Sequence, residues 1–345
     1  MKYVLTSGCS FTRIGFFNGM SITSDFKQIH KQGNPNLFKW TDWLQESLGN
    51  EYSVINLASQ TNDNVTISRT IFYWVNELMG KGVNPEDIHV IIQWSTPQRT
   101  NFYVPKDKLP ITKEYYGHTS HYLKNNNIYD NGVFYLTGGF NLQDASEKFK
   151  IRELLKEYIF YYGGDSGMVN QTLAWLENWS NLKLFFEKHK IKHNYISMCD
   201  ILSESMQRTG FGFYAGLKEH EFERAVLDEK LIADTTNDQC WLEQNELFRP
   251  YINNIGIYDD FWLFKTPTHK YGGLLEWTIK NYDKSNLEKY INFNEHQLDV
   301  TIYEECIQQK INERDYLKSG RWYGHTSSIM ARKFVIEELL PTLNL

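Results

Sequence analysis

Between Ile88 and Trp94 the chain carries Val90-Ile91-Ile92 without a polar break. Successive side chains of a strand point to opposite faces, so an unbroken apolar run suits a strand covered on both. Helical spacing precedes it. Trp40, Trp43, Leu44 and Leu48 fall at i, i+3, i+4 and i+8, which predicts a helix stopped by Gly49. Ile67, Ile71, Trp74, Val75 and Leu78 keep helical spacing to Gly80, with Asn62 or Asp63 as the cap. Strands are expected at Tyr3–Thr6, at Tyr52–Leu57 and near 191–198. Further helices are expected across 171–189, on Trp175, Leu176, Trp179 and Leu182, and at about 327–341.

Strand–helix alternation of this kind predicts an α/β fold: a doubly wound, flavodoxin-like, three-layer α/β/α arrangement around a parallel sheet. Residues 13–37 read as loop, with Gly15, Gly19, Gly33 and Pro35. Residues 95–150 are polar and rich in Asn and Tyr, and 200–320 lack clear alternation. The expectation is one domain over 1–345 with two large insertions, at about 100–170 and 200–320. Gly163, Gly164 and Gly167 read as a helix-breaking turn.

Composition narrows the function classes. No apolar run approaches the ~18 residues of a membrane span, and the start lacks the basic and apolar regions of a signal peptide. Cys9, Cys199, Cys240 and Cys306 lie far apart, without paired spacing for zinc or redox chemistry. No metal or cofactor is expected. A net charge of -6 argues against a nucleic-acid or anionic-membrane surface. At 15% the aromatic content is high enough to supply a core and leave rings for stacking on sugars.

The chemistry-bearing stretch is Tyr3-Val4-Leu5-Thr6-Ser7-Gly8-Cys9-Ser10-Phe11-Thr12. A strand runs straight into a Gly–Cys–Ser turn, and an open α/β sheet places its reactive groups at the carboxyl ends of strands. A small-residue turn that only packs strand on helix, or cradles a phosphate, fits the same residues. The segment resembles the first block of the SGNH/GDSL hydrolases, Gly-Asp-Ser then an apolar residue and often Thr. The resemblance implies Ser10 as nucleophile, with Cys9 where the family has Asp. Neighbouring side chains at a strand end diverge, so only one of Cys9 and Ser10 faces a site.

Three further segments follow the family's order. Asn56-Leu57-Ala58-Ser59-Gln60-Thr61-Asn62-Asp63-Asn64 looks like the second block, with Gln60 or Thr61 where a glycine supplies a backbone oxyanion donor. Asn64 offers a side-chain donor; equally, Asn62 to Asn64 could serve only as caps. Gln93-Trp94-Ser95-Thr96-Pro97-Gln98-Arg99 stands where the family has Gly-x-Asn-Asp, and is similar to the strand end of some phage-encoded members. Gln93 or Ser95 would donate to the oxyanion, and Arg99 would hold an anionic part of the substrate or pair as a surface charge. Tyr323-Gly324-His325-Thr326-Ser327 precedes the last helix, where the family carries its His base, with Trp322 in place of Asp. His118 sits in a copy of the same five residues but in a polar insertion, so His325 is preferred. Gly164-Asp165-Ser166 has no strand before it and reads as a decoy.

The resemblance therefore implies a serine esterase acting on an O-acyl group, plausibly on a carbohydrate. Ser10 would attack and His325 would take the proton. Thr61, Asn64, Gln93 and Ser95 would be the oxyanion donors, and Arg99 the substrate contact. Asp315 is the nearest upstream acid, and a Ser–His dyad is expected. The alternative is an inactive glycan-binding or virion structural module on the same fold. Either fits a host-cell cytoplasm or a virion.

Overall fold

The computed structural model describes residues 1–9, 12, 39–58, 62–95, 97, 100–105, 132–137, 164–197, 201–202, 241–244, 246–256, 261–266, 269–274, 277, 281 and 328–343. Lys2–Ser7 is β1, Trp40–Leu48 is α1, Tyr52–Asn56 is β2, Asn64–Gly80 is α2 and Ile88–Trp94 is β3. Thr100–Pro105 (β4) and Gly132–Thr137 (β5) pair antiparallel. Gly164–His189 forms α3 and leads into Lys192–Ser197, β6. Trp241–Gln244 (α4) and Arg249–Ile255 (α5) are short, and Phe264–Thr266 (β7) pairs antiparallel with His269–Gly272 (β8). The last helix, α6, starts as Ser328–Phe334. It widens to a π-helical stretch over Val335–Leu339 and ends with Leu340–Thr342. Pro341 has no N–H to bond back to the turn before it, and the widening lies just ahead of it.

Strands β2-β1-β3-β6 form one parallel sheet in that order. Thr6 lies beside Asn56, Ser7 beside Ile92 and Trp94 beside Ser197. Every residue of β3 is buried, so both faces of the sheet are covered there, as its unbroken apolar run predicts. The covering helices pack in two groups: α1 with α6, and α2 with α3, which also carries α5. This is an α/β fold on a four-stranded parallel sheet.

Local signals set the helix limits. The Asp63 carboxylate accepts from Thr66 N (3.0 Å) and Thr66 Oγ1 (2.6 Å), so Asp63 is the N-cap of α2. Lys39 N donates to Asp42 Oδ2 (2.8 Å) at the start of α1. That helix ends at Gly49, whose φ of +66° favours glycine. One expectation is corrected: Gly164-Asp165-Ser166 is the opening of α3 rather than a turn, and the helix begins seven residues before 171. Glycines cost little in a first turn, where the backbone N–H groups lack intrahelical partners in any case. The 95–150 stretch, polar and rich in Asn and Tyr, contributes β4 and β5, for which no strand was expected.

Trp94, Trp175, Trp179, Tyr195 and Phe261 build an aromatic core between β3, β6 and α3. Trp175 stacks on Trp179 at 5.6 Å, and Trp94 lies 5.3 Å from Trp179. Burying a ring of this size removes ~200 Å² from water, about 5 kcal/mol before entropy is counted. Glu338 on α6 accepts from both Trp277 Nε1 (3.0 Å) and Trp262 Nε1 (3.3 Å), tying the 262–277 stretch to that helix. Among the described residues no helix is long and apolar enough to cross a membrane.

Candidate functional site

The chain leaves β1 for β2 on one side and later reaches β3 on the other, so the strand order reverses between β1 and β3. Open α/β sheets hold their ligands in the crevice beyond the carboxyl ends of such strands. Here those ends are Ser7-Gly8-Cys9 and Gln93-Trp94-Ser95.

A buried polar network grips the turn that follows β1. Thr12 N donates to Cys9 O (3.0 Å), folding Thr12 back on the strand end. Thr12 Oγ1 donates to Gln93 Oε1. Asn56, the last residue of β2, gives Nδ2 to Thr12 O (2.6 Å) and Thr41 Oγ1 (2.9 Å), while its Oδ1 accepts from Ala58 N (3.0 Å). Asn62 Nδ2 donates to Gly8 O (3.2 Å). Gly8 has no space for a side chain. A Cβ there would overlap Thr12 Oγ1 and stand 3.0 Å from both Thr12 Cβ and Gln93 Cβ.

Asn64 joins the start of α2 to the end of β3. Its Oδ1 accepts from Ser95 N (2.7 Å) and its Nδ2 donates to Ser95 O (2.8 Å), as a neighbouring strand would. The first turn of α2 is thereby bolted to the end of β3. Asn62, Asp63 and Asn64, read as caps with Asn64 also a candidate donor, divide three tasks: holding Gly8, capping α2 and clamping Ser95.

Four buried polar atoms at and beside these strand ends lack partners among the described residues, Ser7 Oγ, Asn62 Oδ1, Gln93 Nε2 and Trp94 Nε1. All four residues are 0% exposed. Leaving such a buried group unpaired costs about 1–3 kcal/mol.

Two titratable groups sit nearby or beneath. Burial pushes the Asp42 carboxyl up to about 7, with the Lys39 backbone N–H and charge opposing it. Asp42 follows Thr41, which Asn56 holds. His89, second residue of β3, lies at the opposite end of the strand. Burial drives it down to about 4 although Asn194 Oδ1 lies 2.7 Å from its Nε2.

Of the residues singled out from sequence, Asn64, Gln93 and Ser95 come together at the crevice. Ser10, Thr61, Arg99 and His325 lie outside the described residues, as do His118, Asp315 and Trp322. Cys9 is buried in the hydrophobic core. Sequence reading passed over the roles of Thr12, Asn56 and Asn62. Thr12 had a signal, as the Thr of the first block; Asn56 and Asn62 were visible only as a strand end and a cap. Compared with protein families, curated proteins and solved structures, the chain finds no match.

Proposed function

We propose that this chain is an SGNH-like serine esterase that hydrolyses an O-acyl ester, plausibly on a carbohydrate. Ser10 attacks the acyl carbon, and His325 takes its proton and returns it to the leaving alcohol. The observation that carries the reading is the buried, unpaired Gln93 Nε2, held by Thr12 beside a glycine that admits no side chain. A fixed donor costs no reorganisation when negative charge develops, and losing one such donor removes ~3–4 kcal/mol of barrier stabilisation. Ser10 stands between Gly8 and Thr12 in the sequence, two residues from each. The backbone N–H of Thr61 is the second donor, and Arg99 meets an anionic part of the substrate. The strand order supports a flavodoxin-like, doubly wound arrangement. A phage product acting in the host cytoplasm or in the virion fits this reading, with no cofactor, nucleic acid or membrane required.

A second reading is a binding or virion structural module without catalysis. It is favoured by one observation: Asn64, one of the four expected oxyanion donors, spends both ends of its side-chain amide on the Ser95 backbone. The test is a panel of short acyl esters and acetylated sugars given to wild type and Ser10→Ala. Hydrolysis by wild type that vanishes in a folded Ser10→Ala protein is the expected result, with activity falling on acidification around the ~6.5 reference pKa of His. Activity surviving in Ser10→Ala assigns the wrong nucleophile, and a wild type inert on every ester leaves the binding module.

A further inference from the structure

Among the described residues, no strand pairs with β2 on the side away from β1. Thr6 lies beside Asn56, and Leu57 N donates to Thr6 O (2.7 Å). Backbone groups alternate along a strand, so Ser53, Ile55 and Leu57 turn theirs to β1 while Tyr52, Val54 and Asn56 turn theirs outward. An open row of such groups is a template for another chain.

The side chain of Gln45, on α1, meets this row. Gln45 Nε2 donates to Tyr52 O (3.1 Å), and Gln45 Oε1 accepts from Val54 N (2.8 Å). Nε2 also donates to Gly49 O (2.9 Å) at the end of α1. The partners fix which way the amide faces, because a backbone N–H only donates and a carbonyl only accepts. In a parallel ladder, one residue of the neighbouring strand makes the same pair of bonds, giving its N–H to one residue and taking an N–H from the residue two further on. The Gln45 amide thus stands where a residue of a fifth strand would.

We infer that Gln45 is an edge guard, whose amide closes β2 to strand addition by a second copy of the chain. A second copy fits because β2, Tyr-Ser-Val-Ile-Asn, is rich in strand formers, and two such edges meet across a two-fold axis with identical groups. Tyr52, Ser53 and Ile55 are only half-buried, which leaves the edge within reach of another chain.

Association is read by sedimentation velocity on the full chain, and the edge itself by amide exchange at Val54. In wild type the Val54 amide is expected to be protected at every concentration. Gln45→Met keeps the length of the side chain and loses its hydrogen bonds. Its Val54 amide should exchange about tenfold faster in dilute solution and regain protection as the concentration rises and the variant dimerises. Gln45→Glu keeps an acceptor and sets a charge on the edge, so it should associate no more than wild type. A wild-type Val54 amide exchanging as fast as an open one overturns the inference, whether or not the variants fold. So does a folded Gln45→Met that associates no more than wild type, or one that associates with Val54 still unprotected. Equal association of Gln45→Glu and Gln45→Met overturns it as well, since lost stability alone would then drive both.

Discussion

Gly8→Ala is the sharpest probe of the turn after β1. The added Cβ overlaps Thr12 Oγ1 and sits 3.0 Å from Thr12 Cβ and from Gln93 Cβ, both attached to backbone that other bonds hold. Relief requires Thr12 to swing away, which breaks its bond to Gln93 Oε1. Overpacking of a rigid site costs about 1–3 kcal/mol and a lost buried hydrogen bond about 1 kcal/mol more, so the variant is expected to lose about 2–4 kcal/mol. Thr12→Ala alone orphans Gln93 Oε1, a loss of about 1–3 kcal/mol. In the double variant the overlap with Oγ1 is gone and the bond can be lost only once. The two effects should therefore fall short of their sum by about 1 kcal/mol or more, well beyond the ~0.5 kcal/mol scatter of independent sites. Urea unfolding followed by tryptophan fluorescence measures all four corners of the cycle. A Gly8→Ala protein as stable as wild type, or strict additivity, refutes the packing argument.

Other outcomes follow from the same geometry. Asn64→Ala removes both bonds to Ser95 and is expected to cost about 2–4 kcal/mol. Amide exchange at Ser95 should quicken in step, and unchanged protection there would sink the clamp. His89, held near 4 by burial, contributes stability that is full above its ordinary 6.5 and fades as pH falls towards 4. The span is about 3 kcal/mol. Asp42, raised to about 7, acts in the opposite sense: its contribution is full below its ordinary 3.8 and fades as pH rises to 7. Wild type should therefore change little in stability between pH 4.5 and 6.5. Asp42→Asn should gain stability steeply over the same rise, and a variant with the wild-type pH profile would show that Asp42 is not the opposing group.

The frame was legible where one residue type meets one physical demand. The run at 90–92 needs two covered faces, and the parallel sheet supplies them. Gly49 could be read as a helix stop because its positive φ suits glycine above other residues. Asp63 was one of two named caps, and the choice between it and Asn62 depended on Gly8, far away in sequence but adjacent in space. The opening of α3 was misread because three nearby glycines weaken a helix interior, a penalty that fades in the first turn. β4 and β5 were hidden by the polar, Tyr-rich character of their surroundings, although Phe102-Tyr103-Val104 and Val133-Phe134-Tyr135-Leu136 carry strong strand formers. At the site, residue type suggested donors at Asn64 and Ser95. That the Asn64 amide is spent on the Ser95 backbone depends on how β3 and α2 meet, which no local pattern encodes.

Helix α6 lies against α1, with the Arg332 guanidinium 5.2 Å over the Trp43 ring, although about 290 residues separate them. The elements from β1 to β3, by contrast, are packed from the first hundred residues. Closing a loop of that length costs about 5 kcal/mol beyond a fixed constant, and distant pairings of this kind are slow to form. This separation predicts that the contact between α6 and α1 forms after the pairing of β1, β2 and β3. Until it forms, Trp43 on α1 lacks the cover that Arg332 gives it, and that face is open to other chains.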